Sequence, residues 1–350
     1  MKTKILNSEN LKLSKMKNQL FRSLIAVFAI ATLINCTPDD GVYEPFEPQI
    51  DGEALAERFS NNRANAIEEF TLDASTGGVV TGTQGTQVSF APNSFKLNGD
   101  LVTGSVTIQL IEIYDKASMV LQDKSTLGMR ANGDKEALKS AGEFYINAKQ
   151  GSQDLDLAEM ANVNSKPISP AEMDPAMKIF RGGDDDCDGV DDDCDWVEAD
   201  FDGNGEQDDP GIRDAQGATG AMVSYSYDIG DFGWTNLDRW YSFAGAKTDI
   251  FVDVPDGFDG ENCAVYLSYD GESNALASMD VWSETQEMFT EHYGLIPVGL
   301  EVHIIMVAEI DGQLHYAIQG TTIVDDHVEV ISSLSPTTQA ALESLINGLP

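Results

Sequence analysis

Between Asp184 and Asp209 the chain places fourteen carboxylates within 26 residues, with no basic side chain among them. Carboxylates about 4 Å apart repel by about 1 kcal/mol per pair even in bulk water, so such a segment needs full solvation or bound cations. Alternating acids around a glycine turn can bring six to eight hard oxygens to calcium at about 2.3–2.6 Å. The run holds two stretches of this kind. In the first, Asp184, Asp186 and Asp188 take loop positions 1, 3 and 5, and Gly189 takes position 6. Val190 offers its carbonyl at position 7, and Asp192 and Asp195 fall at positions 9 and 12. In the second, Asp200, Asp202 and Asn204 take positions 1, 3 and 5, followed by Gly205, Glu206 at 7 and Asp208 at 9. Its position 12 is Gly211, so the second loop lacks the closing bidentate carboxylate. Both are candidate Ca2+ sites, and the first is the more complete.

The flanks argue against an EF-hand. Gly182-Gly183 precedes the run and Asp209-Pro210-Gly211 follows it, and such residues do not support flanking helices. The segment resembles the calcium-stabilised acidic loops of extracellular modules such as thrombospondin type 3 repeats, which implies a structural cation. The competing reading is a solvated acidic loop without metal. Cys187 and Cys194 stand seven apart inside the run, which suits a disulfide in an oxidising compartment. Cys187–Cys263 is the alternative pairing. A thiolate metal site is not supported, because no histidine or second cysteine pair flanks the loop.

Elsewhere, residue types able to do chemistry do not assemble into catalytic motifs. His292, His303, His315 and His327 show no zinc spacing, and there is no Gly-x-Ser-x-Gly elbow or phosphate-cradling loop. A carboxylate pair for hydrolysis is undefined by sequence, since its separation is a three-dimensional quantity. The expectation is a binding protein, not an enzyme. Trp234, Trp240 and Tyr241 offer two alternatives, a stacking platform for sugar rings or core packing, and core packing is the commoner fate. Asp238 and Arg239 then read as surface charges.

The N-terminus sets the compartment. Lys12, Lys15, Lys17 and Arg22 form a basic region, and Ser23 to Ile34 form an apolar core too short to span a bilayer. Leu33-Ile34-Asn35-Cys36 resembles a bacterial lipoprotein cleavage box with Cys36 as lipid acceptor. Thr37-Pro38-Asp39-Asp40 resembles the surface-export signal of Bacteroidota lipoproteins. The resemblance implies an outer-membrane, cell-surface protein held in lipid by its N-terminus. Residues 1–35 are then a signal peptide and 36–64 a flexible tether with one helical turn near Glu53 to Phe59. Residues 1–35 carry six of the 21 Lys and Arg and one of the 59 acids, so the remainder has a net charge of −43. That balance excludes nucleic acid as a partner. The expected partner is another outer-membrane protein, with a glycan as the alternative ligand.

The elements that must position the acidic segment read as all-β, in two β-sandwich domains with a short C-terminal helix. Residues 65–212 form the first sandwich, with the acidic loop at 182–209 as an insertion at a hairpin tip, and residues 213–350 form the second. Val106 to Ile113 alternates along most of a strand, and Asn98-Gly99 and Asp311-Gly312 mark tight hairpins. Gly77 to Ile113, with its Ala91-Pro92-Asn93 break, resembles a ZU5-like β-sandwich, which implies a role in interaction. Gly233 to Tyr241 with Ile296 to Leu300 resembles uncharacterised lipoproteins of Bacteroidota and implies no activity. Ser335-Pro336 is expected to open the terminal helix, with Leu342, Leu345 and Ile346 buried and Gly348 closing it.

Overall fold

Five sheets of three or more strands and three helices are laid out in a computed structural model, which describes residues 48–183, 189–191, 195–215, 222–291 and 294–350. The fold is all-β. The signal segment, Cys36 and residues 36–47 of the expected tether lie outside the described residues.

The first half is a sandwich. One sheet has eight strands. Its path runs Glu68–Asp73, Ser105–Ile113, Lys135–Gln150, Gly233–Trp240, Lys178–Gly182, Trp196–Glu198, Leu127–Met129, with Gln153–Asp154 paired to the side. The path returns on itself, because Leu127 pairs with Ala137 of the long strand. The facing sheet has five strands in the order Gly211–Asp214, Val223–Ile229, Ala161–Asn164, Gln87–Phe90, Gly78–Thr81. Val88, Phe90, Val163 and Tyr227 of this sheet meet Ile108, Phe144, Ile146 and Leu237 of the eight-stranded one in a first core. The second half pairs a five-stranded sheet, including Cys263–Tyr269 and Glu301–Ile310, with a four-stranded one through Ile250–Asp253. Val265, Leu267 and Ile304 pack there on Ile250, Val252 and Phe289.

A third core joins the two sandwiches. It collects Ile111, Ile113, Tyr145, Phe180, Trp196 and Trp234 from the eight-stranded sheet and Tyr266, Ile305 and Val307 from the second sandwich. Three helices fill it: α1 (Gly52–Ala66), α2 (Lys116–Gln122) and α3 (Gln339–Ile346). This explains Ser105–Ile113, whose residues 109 to 113 are all buried. The strand lies between two cores, so both its faces must be covered.

Three differences from the sequence reading have physical causes. The single turn expected near Glu53 is a 15-residue helix, capped by the Asp51 carboxylate, which accepts from the Ala54 N–H at 2.9 Å. Leu55, Phe59 and Arg63 recur every four residues and form its buried stripe. Arg63 Nη1 donates to the Gln122 carbonyl at 2.6 Å, so α1 caps the carbonyl end of α2 with a cation. Second, Val223–Ile229 and Gly233–Trp240, read as opening the second sandwich, hydrogen-bond into the two sheets of the first. Third, Ser335–Pro336 is a short strand on His315–Tyr316. The terminal helix starts after Thr338, whose Oγ1 accepts from the Ala341 N–H at 3.3 Å. Leu342 and Ile346 are buried in it, but Leu345 is 44 % exposed.

Candidate metal centre

Strands Lys178–Gly182 and Trp196–Glu198 pair antiparallel, with Gly182 opposite Trp196, so the first acidic loop springs from a hairpin tip as expected. Asp184, Asp186, Asp188, Asp192, Cys187 and Cys194 lie outside the described residues. The parts of the loop that are described are tied down. Val190 packs against the third core. Asp191 pairs with Arg63 of α1 at 3.0 Å. Asp195 pairs with Lys135 at 2.9 Å, and the same ammonium holds Asp280 at 2.7 Å. Lys135 therefore competes with any ion for the carboxylate expected to close the first loop.

The second loop brings its acids together. Asp200, Asp202 and Asp208 each place a carboxylate oxygen within 4.8 Å of the other two. Two oxygens bound to one calcium at about 2.4 Å can be at most about 4.8 Å apart, so the spacing fits one ion. Backbone N–H groups build the cradle. Asn204 N–H donates to Asp200 Oδ1 at 2.9 Å and to Asp202 Oδ1 at 3.0 Å, and Gly205 N–H donates to Asp200 Oδ2 at 2.8 Å. Gly203 and Gly205 sit at φ +69° and +86°, where a side chain would be strained, and this lets the backbone turn inside the carboxylates. Asn204 Oδ1 accepts from the Glu206 N–H at 2.7 Å, and the Glu206 side chain is exposed. These two expected ligands thus stand beside the triad and shape its turn.

The far end of the loop is anchored to the sheet. Phe201 N–H donates to Asp208 Oδ2 at 2.7 Å, and Phe201 packs against the first core. Ile179 N–H donates to the Asp208 carbonyl at 3.1 Å, and Gln207 Nε2 donates to the Ile179 carbonyl at 3.0 Å. Lys178 forms its ion pair with Asp209, next to the triad. Three charges at this spacing repel by at least about 0.9 kcal/mol per pair in water, and by more near the protein surface. A divalent cation reverses that sign. The donor set is all hard oxygen, which suits calcium or magnesium and not a thiophilic metal.

The remaining candidate residues do not form a site. Trp234 is 3 % exposed and belongs to the third core. The Arg130 guanidinium lies over the Trp240 ring at 3.8 Å, and Tyr241 packs edge-on against Tyr269 at 5.0 Å. The three aromatics therefore present no common platform. His303 lies opposite Gly320 and His315 opposite Ala308, so the two imidazoles are separated along the hairpin. His303 Nδ1 is 2.7 Å from Asp270 Oδ1, and His327 Nδ1 accepts from the Val324 N–H at 3.2 Å. His292 lies outside the described residues.

Asp238, expected on the surface, is fully buried, as is Glu143 on the neighbouring strand. Asn236 Nδ2 donates to Asp238 Oδ2 at 2.6 Å, and Ser140 Oγ donates to Asn236 Oδ1 at 2.9 Å. Both Glu143 oxygens and Asp238 Oδ1 have no hydrogen-bond partner among the described residues. Burial pushes the Glu143 carboxyl well above the usual range, the nearby Asp238 adds to the rise, and Lys124 opposes it. Burial likewise raises Asp238, against the Ser140 hydroxyl. Both carboxyls are sealed from solvent and shifted towards the neutral form, so the pair is not open to a substrate. The strand register shifts beside the pair, between Asn236 and Asp238.

No protein-family model matches the chain, and no curated protein matches it.

Proposed function

We propose that this protein is a lipid-anchored outer-membrane surface protein that binds calcium through Asp200, Asp202 and Asp208 and works by binding a partner, not by catalysis. The observation that carries the reading is the convergence of those three carboxylates on a backbone cradle anchored to a sheet. Weak calcium affinity, with Kd of about 0.1–1 mM, is sufficient for an extracellular module. The ion's role is to hold the end of the acidic hairpin in place. The lipid acceptor Cys36 and the acids behind it support the location. Two sandwiches joined through a third core make a rigid body suited to docking, and the partner is an outer-membrane protein.

The test is thermal unfolding of the full chain in detergent, in about 10 mM calcium and in EDTA. Calcium at ten to a hundred times Kd adds about 1.4–2.7 kcal/mol by mass action, which raises Tm by a few degrees. Equal melting in both conditions contradicts the calcium reading. Cross-linking on cells followed by purification tests the partner: recovered outer-membrane barrel proteins support it, and recovery of the chain alone counts against it.

A further inference from the structure

Asparagine is followed by glycine at four places, Asn98, Asn132, Asn204 and Asn347. At such a step the glycine nitrogen can approach the asparagine side-chain carbon, because glycine carries no side chain to shield it. Asn204-Gly205 differs from the other three in what meets that nitrogen. The Gly205 N–H donates to a carboxylate, Asp200 Oδ2, at 2.8 Å. The glycine N–H beside Asn132 donates to the Arg130 carbonyl at 2.8 Å, and the one beside Asn347 to the Leu345 carbonyl at 3.2 Å. An amide carbonyl is too weak a base to take a proton. Asn98-Gly99 spans the tight turn in which Leu97 pairs with Asp100, and no carboxylate meets the Gly99 N–H among the described residues.

The Asn204 side chain is held from both ends. Its Oδ1 accepts from the Glu206 N–H at 2.7 Å, a donor placed where negative charge develops when the amide carbon is attacked. Its Nδ2, the group that would leave, donates to Asp202 Oδ2 at 2.9 Å. Asn204 and Gly205 are both exposed, and no atom stands within 4 Å of the position a Gly205 Cβ would take, so water reaches the step. A base on the nucleophile and a donor on the developing oxyanion are the two parts that amide chemistry needs.

We propose that this loop deamidates itself at Asn204, with Asp200 as the base. The Gly205 nitrogen attacks Asn204 Cγ as its proton passes to Asp200, and the new C–N bond closes a succinimide ring. The Cγ–Nδ2 bond breaks, and the same proton returns through solvent to the departing nitrogen, which leaves as ammonia. Water then opens the ring at either carbonyl and leaves an aspartyl or isoaspartyl residue at 204. The net change is amide plus water to acid plus ammonia, with no redox partner. In the aspartyl product an oxygen stands where Nδ2 now donates to Asp202, so the modification turns an attraction inside the loop into a repulsion.

The test is incubation of the full chain in detergent at neutral pH, with peptide mapping by mass spectrometry to follow each Asn-Gly step over time. EDTA keeps metal off Asp200, so the outcome is separate from that of the calcium reading. A well-placed base contributes about 100–10,000-fold, so Asn204 should react at least about tenfold faster than Asn98, Asn132 and Asn347. In urea, which scatters the loop, the four rates should converge to within about threefold. D200N keeps an oxygen to accept from the Gly205 N–H but removes the base, and it should slow Asn204 at least about fivefold at an unchanged melting temperature. Asn204 reacting no faster than the other three in the folded chain, an advantage that survives in urea, or a wild-type rate in folded D200N overturns the proposal.

Discussion

Replacing Glu143 by Gln should stabilise the protein at neutral pH and flatten its stability between pH 5 and 7. In the folded state burial shifts this carboxyl well above its ordinary range, towards the protonated form, and in the unfolded chain it titrates near the ordinary value of about 4.3. Between those two pKa values the folded state binds one proton more than the unfolded state. Stability therefore falls as pH rises through the window, by about 1.4 kcal/mol per pH unit. Over two units a single buried carboxyl that stays protonated accounts for up to about 2.7 kcal/mol, a loss that E143Q does not suffer because its amide does not titrate. The chain's overall negative charge adds its own pH slope, so the quantity to read is the difference between variant and wild type. Urea unfolding at pH 5, 6 and 7 supplies it. The difference should grow with pH in favour of E143Q. A difference that does not change with pH would mean that Glu143 is ionised in the fold, compensated by Lys124 beside the Trp234 ring, and would refute the assignment of a neutral pair.

Other consequences are simpler. Phe59→Ala removes a 6 % exposed ring from the third core and should cost about 3–5 kcal/mol in urea unfolding. A tether would lose nothing. Burial pushes the Cys263 thiol up to about 12, so mass-mapped alkylation at pH 8 should leave it unmodified until the chain is unfolded. Labelling of Cys263 in the native protein would contradict its place under the second sandwich.

What could be read from sequence was the local part of the fold. Asn98-Gly99 and Asp311-Gly312 turn hairpins because both residues of each pair take positive φ, and that preference belongs to the residues themselves. The oxygen spacing of Asp200, Asp202 and Asp208 was visible for the same reason: one short loop supplies all three. Non-local facts were hidden. Val223 to Trp240 looks like the start of a new sandwich until its partners at Ala161–Asn164 and Lys135–Gln150 are known. Ser335-Pro336 carries good cap chemistry, yet pairing with His315 and Tyr316 makes it a strand. Asp238 was read as exposed because nothing in its neighbours announces a second core on the far side of the strand. Trp234 illustrates the limit for function. Its burial was the expected outcome, but an indole N–H buried without a hydrogen-bond partner among the described residues has no sequence signature.

Calcium titration by calorimetry of the full chain, compared with the Asp202→Asn/Asp208→Asn double variant, tests the central claim most directly. The wild type should bind with Kd of about 0.1–1 mM, and the double variant should lose one site from the stoichiometry while keeping its fold. Equal stoichiometry in both proteins would show that the triad does not hold calcium.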